Sequence, residues 1–294
     1  MNPRINRRAF LKVATVATAA TATSLALPAA AAASGRERLR RGGLIDVNVT
    51  LGRWPFRRLP FDDTDALVAK LRMNGVIQAW AGTFDAVFQK DMAAANARLA
   101  QECRRHGPGL LVPFGSVNPT LPDWEEELHR CHTAHRMPGL RLFPNYHGYK
   151  LDDPVFARLL ALAMERRLIV QVAVDLEDER TQHPLARVPH VDLQPLAAPL
   201  ATATGSRVVV LNWFRSVKPD LVKRLAAMDV CFDIATVEGV GGVTNLVQQI
   251  SANRVAFGSH APFFYFESAL LKLKESSLNP DETRRVCREN ARGL

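Results

Sequence analysis

The feature that most constrains this chain is a rhythm. From residue 44 onward, short apolar runs of strand character alternate eight times with helical stretches across about 250 residues. The runs are expected at 44–50, 76–81, 110–117, 139–143, 168–174, 207–213, 230–234 and 254–258. The first shows the period of two directly, with Ile45, Val47 and Val49 alternating against Asp46, Asn48 and Thr50 before Gly52 and Pro55 stop it. The later runs are almost continuously apolar, as parallel strands covered on both faces must be. Between them, helices are expected at 64–73 (capped by Thr64 or Asp65), 91–105, 122–136, 152–167, 193–202, 219–228, 242–250, 267–275 and 281–291. Eight β/α units over this length make a (β/α)8 TIM barrel, in one domain at 44–294. An open doubly wound sheet is the competing arrangement, but it calls for a glycine-rich phosphate loop after the first strand. The only glycine cluster, Gly239-Val240-Gly241-Gly242, comes late and reads as a strand-to-helix turn.

The first 33 residues stand apart. The run N-R-R-A-F-L-K at 6–12 places Arg7 and Arg8 before an apolar pair and Lys12, and an Ala/Val/Thr-rich stretch follows to the alanines ending at Ala33. This is the pattern of a twin-arginine export signal, in preference to a Sec signal or a retained anchor. It places the mature protein in the periplasm or outside the cell. A basic linker, 34–43, joins it to the barrel. No other apolar run reaches the roughly 20 residues that a membrane span requires.

The net charge of +9 is largely a property of these segments. Without Arg4, Arg7, Arg8 and Lys12 the chain has 34 basic against 29 acidic residues, and from residue 44 onward the balance is only +2. Nucleic acid is therefore not an expected partner. A small molecule is, and self-association is left open. Cys103, Cys131, Cys231 and Cys287 are too scattered for a disulfide scaffold, and Cys231 reads as a buried thiol.

In such a barrel the carboxyl ends of the strands share one face and carry the site. The groups delivered there are Asn48, Thr50, Arg53 and Arg57; Thr83 and Asp85; Ser116 and Asn118; Arg141, Asn145, Tyr146 and His147; Asp175 with the loop residues Glu177, Asp178, Glu179, Arg180, Gln182 and His183; Asn212, Trp213 and Arg215; Asp233, Thr236 and Glu238; and Ser259 and His260. His260, directly after Ala-Phe-Gly-Ser at a strand end, is the sharpest candidate. Arg141 is read either as the partner of a barrel carboxylate or as a substrate clamp. Arg53 and Arg57 either clamp a carboxylate or pair on a lid. His147 either packs between Tyr146 and Tyr149 or faces substrate.

Taken in order, IDVNV, GLRLFP, VVVLNW, VCFDIA, AFGSH and the closing ENARGL resemble the amidohydrolase-2 family, metal-dependent hydrolases and decarboxylases on a (β/α)8 barrel. The resemblance implies an H-x-H pair on the first strand, but those positions hold Asn48 and Thr50. The family's strand-six histidine falls on Asn212, its strand-eight aspartate falls on His260, and no histidine stands at 170–174. Asn and Thr are poor ligands for zinc. Three expectations follow. The first is a hydrolase of a small anionic or lactone/ester-like substrate, with His260 as base, Asn212 and His183 beside it, and Arg53, Arg57, Arg141, Tyr146, His147 and Arg215 binding substrate. The second is a rebuilt zinc or manganese site from His147, His183 and His260 with Glu238 or Asp175. The third is a catalytically silent barrel that binds a small ligand.

Overall fold

The expected rhythm is realised as a ring of parallel strands in the computed structural model, which describes residues 42–294. The expected export signal, 1–33, and all but the last two residues of the basic linker lie outside the described residues. The strands are β1 (Leu44–Leu51), β2 (Val76–Thr83), β3 (Leu111–Pro113), β4 (Gly139–Leu142), β5 (Ile169–Ala173), β6 (Arg207–Leu211), β7 (Cys231–Asp233) and β8 (Val255–Ala256). Continuous parallel pairing joins β1 to β3 and β4 to β8. Two seams close the ring. At one, Gly115 N–H donates to Gly139 O at 3.2 Å and Arg141 N–H to Gly115 O at 2.7 Å. At the other, Val47 N–H donates to Phe257 O and Thr50 N–H to Ala261 O, both at 2.9 Å.

The helices are α1 (Thr64–Met73), α2 (Asp85–Phe88), α3 (Met92–His106), α4 (Trp124–Thr133), α5 (Pro144–His147), α6 (Pro154–Glu165), α7 (Ala197–Thr202), α8 (Pro219–Ala226), α9 (Gly242–Ile250), α10 (Phe266–Lys274), α11 (Pro280–Arg284) and α12 (Asn290–Gly293). Their ends show what the sequence hides. α1 is capped by Asp63, whose carboxylate accepts from Ala66 N–H at 3.1 Å, rather than by Thr64 or Asp65. α4 stops at Thr133, three residues earlier than expected, because Arg136 takes a left-handed backbone (φ 54°). The single closing helix expected at 281–291 is three pieces, with a π-helical turn at Arg285–Glu289 between α11 and α12. β3 and β8 are shorter than expected, since beyond Pro113 and Ala256 the chain bonds across the seams instead of along a ladder.

The barrel interior is layered. Its lower part is apolar, built by Ile45, Val47, Trp80, Phe114, Ile169, Val209, Leu211, Cys231 and Ala256, with Ala291 packed among them. Above lies a buried polar layer. All four cysteines are buried free thiols, as read for Cys231. No helix among the described residues is long and apolar enough to cross a membrane.

Candidate functional site

The polar layer is a closed circuit. Asp233, at the end of β7, accepts from Asn212 N–H at 3.0 Å and from Asn48 Nδ2 at 2.7 Å. Asn48 Nδ2 also donates to Asn212 Oδ1 at 2.8 Å. Asn212 Nδ2 then faces His260 Nδ1 at 3.3 Å, and His260 Nε2 donates to Leu176 O at 2.8 Å. A ring donating through Nε2 must present Nδ1 as acceptor, so the circuit fixes the tautomer. Asn212 and His260 occupy matching strand ends and both take left-handed backbones, φ 56° and 57°. Burial pushes His260 down to about 4 and Asp233 up to about 6, while Asp46 below is pushed up to about 7. His260 stands at the strand end as expected, but both its nitrogens are engaged.

Arg141 crosses the barrel and is 2% exposed. Its guanidinium donates to Gln171 Oε1 (2.8 Å), Val49 O (2.7 Å), Thr50 Oγ1 (3.2 Å), Val47 O (3.2 Å) and Trp80 O (3.0 Å). A guanidinium has five N–H donors, and all are engaged. Gly82 is required beside it, because a Cβ there would stand 2.9 Å from the guanidinium. Arg141 is therefore a strut, and the expected substrate clamp is corrected.

These groups also bear on whether a divalent ion fits. At the positions that the resemblance assigns to imidazole ligands, Thr50 accepts from a guanidinium and Asn48 points its amide N–H groups at Asn212 and Asp233. N–H groups and a fixed cation do not fit a divalent ion. The rebuilt set does not assemble either. His147 Nε2 donates to Ala86 O, His183 is exposed and stacks on Phe56 with ring centroids 4.5 Å apart, and His260 is held as above. Among the described residues, no three His, Cys, Asp or Glu side chains converge to hold a metal.

The β1–β4 side of the mouth is roofed by rings. Trp54 meets Phe56, Phe84, Phe88 and Phe263 with centroids 5.0–5.6 Å apart. Tyr146 joins this roof against Phe88, and His147 lies buried beneath it. Arg57 pairs with Glu177, whose carboxyl is raised by burial, and lies over Phe263; Arg53 stays exposed outside the cavity.

Over β5–β8 the mouth opens into a cavity of about 740 Å3. Five carboxylates (Asp175, Glu177, Asp178, Glu179, Glu238) and three full cations (Arg180, Arg215, Lys272) line it, with Asn212 and His260 among the lining residues. Arg180 pairs with Asp178, and Arg215 with Asp178 and Glu238. Lys272, on α10, has no carboxylate partner among the described residues. Its ammonium donates to Ile234 O and Ala235 O, and burial lowers its pKa.

The sequence reading missed His190, Ser216 and Lys272. Asp175 holds His190 Nδ1 through Oδ1, while its Oδ2 accepts from Ser216 Oγ at 2.5 Å; Ser216 Oγ lies 2.9 Å from His190 Nδ1. Since a carboxylate only accepts, Nδ1 carries the proton and Nε2 is left as a free acceptor on a ring that lines the cavity. The loop is tied back to the barrel by Val191 N–H to Val174 O (3.3 Å) and by Asn145 Nδ2 to Pro189 O (3.0 Å). Its length was the available signal, because long ordered loops in compact domains commonly serve function.

The sequence profile of the Amidohydrolase family (Amidohydro_2) matches residues 47–205. No curated protein matches the chain. Among solved structures, the chain is similar to a 2,6-dihydroxybenzoate decarboxylase from Rhizobium (14% identity, 85% of this chain and 98% of that one, TM-score 0.62). It is similar to an uncharacterised TIM-barrel protein from Bordetella bronchiseptica (13%, 86% and 98%, TM-score 0.65). It is also similar to a 5-carboxyvanillate decarboxylase from Novosphingobium aromaticivorans, solved with manganese and 4-hydroxy-3-methoxy-5-nitrobenzoic acid (13%, 85% and 95%, TM-score 0.63). At such identities the likeness is one of fold, the TIM barrel. Together with the family profile, which covers more than half of its length, this places the chain in the amidohydrolase family.

Proposed function

We propose that the protein is a hydrolase of a small, neutral ester- or lactone-like molecule, bound in the β5–β8 cavity and turned over without the family's metal. The observation that carries this reading is the Asp175–His190 pair, an imidazole held through one nitrogen with the other free beside a cavity. A carboxylate-held imidazole is oriented and fixed in one tautomer, as a proton acceptor needs to be. His190 Nε2 takes a proton from water as the water oxygen bonds to the carbonyl carbon. The resulting oxyanion is stabilised by the Lys272 ammonium, and His190 returns the proton to the departing alkoxide as the C–O bond breaks. Asn212 and His260 shape the floor. The base is thus His190 in place of the expected His260, whose nitrogens are engaged and whose pKa is depressed to about 4.

The geometry also argues for a neutral substrate over the expected anionic one. Arg57 and Arg215 have carboxylate partners, Arg141 is enclosed, and carboxylates outnumber cations in the cavity lining. The Novosphingobium neighbour was solved with manganese, but among the described residues here no three His, Cys, Asp or Glu side chains gather, so no metal-assisted decarboxylation is assigned. The proposal includes export by the twin-arginine route, supported by the arginine pair at 7 and 8; mass spectrometry of the mature N-terminus tests it.

The test is a panel of lactones and aryl esters with chelator-treated protein. Turnover that falls about 1,000-fold in His190→Ala supports the assignment. Turnover insensitive to that change, or absent across the panel, removes it. A ligand-binding barrel is the second reading, favoured by the closed circuit from Asp233 to His260, which leaves no reactive group at the family's own position. It is chosen if small esters bind saturably and remain unchanged.

A further inference from the structure

The foot of the barrel, opposite the mouth, holds a second cavity of about 580 Å3. Among the described residues its lining includes Arg136, Arg166, Arg167, Arg207 and Arg292, with no Asp or Glu side chain. The chain from residue 44 onward carries only a small excess of positive charge, so five guanidiniums around one cavity is a local concentration and not a sample of the average surface. Trp80 and Ile169 contribute apolar wall.

Few of these cations are neutralised. Arg166 contacts Glu165 at 3.4 Å and Leu162 O at 3.0 Å, and Arg207 donates to Leu294 O. The guanidiniums of Arg136, Arg167 and Arg292 have no hydrogen bond or ion pair among the described residues. Arg207 and Arg167 repel one another, and that repulsion adds to burial in lowering the Arg207 pKa. Like charges held together with little counter-charge favour binding of an anion, which relieves the repulsion.

The backbone shows the same bias. Arg136 and Arg167 precede β4 and β5, which are neighbours, and both adopt left-handed conformations (φ 54° and 55°). At Arg167 the turn closes with Arg167 N–H to Met164 O (2.9 Å) and Leu168 N–H to Ala163 O (2.8 Å), a position that ordinarily takes glycine. Two arginines thus stand at adjacent turns where glycine would be less strained.

We propose that this foot cavity is a binding site for a small polyanion, an oligophosphate or polycarboxylate held by paired guanidinium forks. Guanidiniums grip such oxyanions through two parallel N–H···O bonds. The site is separate from the mouth, and its occupancy does not depend on what the mouth catalyses.

The test is isothermal titration of the full chain with inorganic pyrophosphate and with citrate at low ionic strength, on wild type and on Arg136→Gly/Arg167→Gly. Glycine suits both backbone positions, so the double variant removes charge while keeping the turns. Arg292→Gln, at an exposed residue, is the second variant if the first does not fold. One-to-one saturable binding, weakened at least about tenfold in the variant, is expected. The proposal is overturned if neither anion binds at low-millimolar concentration, or if the variant binds as well as wild type. It is also overturned if only vesicles of anionic lipid bind, since that marks a charged surface and not a cavity.

Discussion

The two halves of the barrel mouth are built from the same kind of strand end, yet they do opposite things. Over β1–β4, Trp54 and its neighbouring rings close the opening, and the polar groups beneath turn inward: Arg141 to backbone carbonyls, Asn48 to Asn212 and Asp233. Over β5–β8 no such roof forms among the described residues, and the strand ends line an open cavity with His190, Asp175 and Lys272. Polar side chains buried under a roof must satisfy one another, which makes them structural. Those left beside a cavity keep free valences, which makes them available for chemistry.

The comparison can be broken most severely at Arg141. Arg141→Met should lower stability by about 4 kcal/mol, measured by urea denaturation, because it strands carbonyls that now receive charged donors. A change in KM with unchanged stability would instead restore Arg141 as a substrate clamp. Trp54→Ala should lower stability by about 3 kcal/mol by removing the centre of the ring cluster. Loss of turnover at full stability would mean that the roofed half takes part in the chemistry.

The buried polar layer gives a pH signature. Asp46 and Asp233 are raised above the ordinary 3.8, to about 7 and about 6, so their contribution is complete below the unfolded value and is lost as pH rises through the folded ones. His260 is lowered from 6.5 to about 4, so its contribution is present above 6.5 and is lost as pH falls toward 4. Two carboxyls oppose one imidazole, and stability should fall by on the order of 2 kcal/mol between pH 4 and 7. Asp46→Asn should flatten that slope; an unchanged slope would remove the buried aspartate as its source. Smallest is Ser216→Ala on the open side. It should reduce kcat by about tenfold, on the order of 1 kcal/mol, while thermal stability stays unchanged, because Ser216 only steadies Asp175 and His190.

The barrel was legible in the sequence because apolar runs and helix breakers are local signals: the runs starting at Leu44, Val76, Gly139 and Arg207 needed no knowledge of partners. The site was less so. Arg141 inside Leu-Arg-Leu-Phe reads equally as clamp or strut until five acceptors from three other strands, β1, β2 and β5, converge on it. His260 was found at its strand end, but that both ring nitrogens are engaged depends on Leu176 and Asn212, 84 and 48 residues away in sequence. His190 stayed hidden for the same reason. Its proximity to Asp175 exists only because the intervening loop returns to β5, and Ser216 reaches it from the next strand.

The central claim is that the chemistry belongs to the open half and uses His190. The most direct measurement is kcat/KM of chelator-treated wild type, His190→Gln and His260→Gln on whichever ester or lactone of the panel is turned over. A loss of about 1,000-fold in His190→Gln, with a smaller loss in His260→Gln that follows its loss of stability, is the expected result. Full activity in His190→Gln, or activity that vanishes on chelation and returns with added manganese, would contradict it.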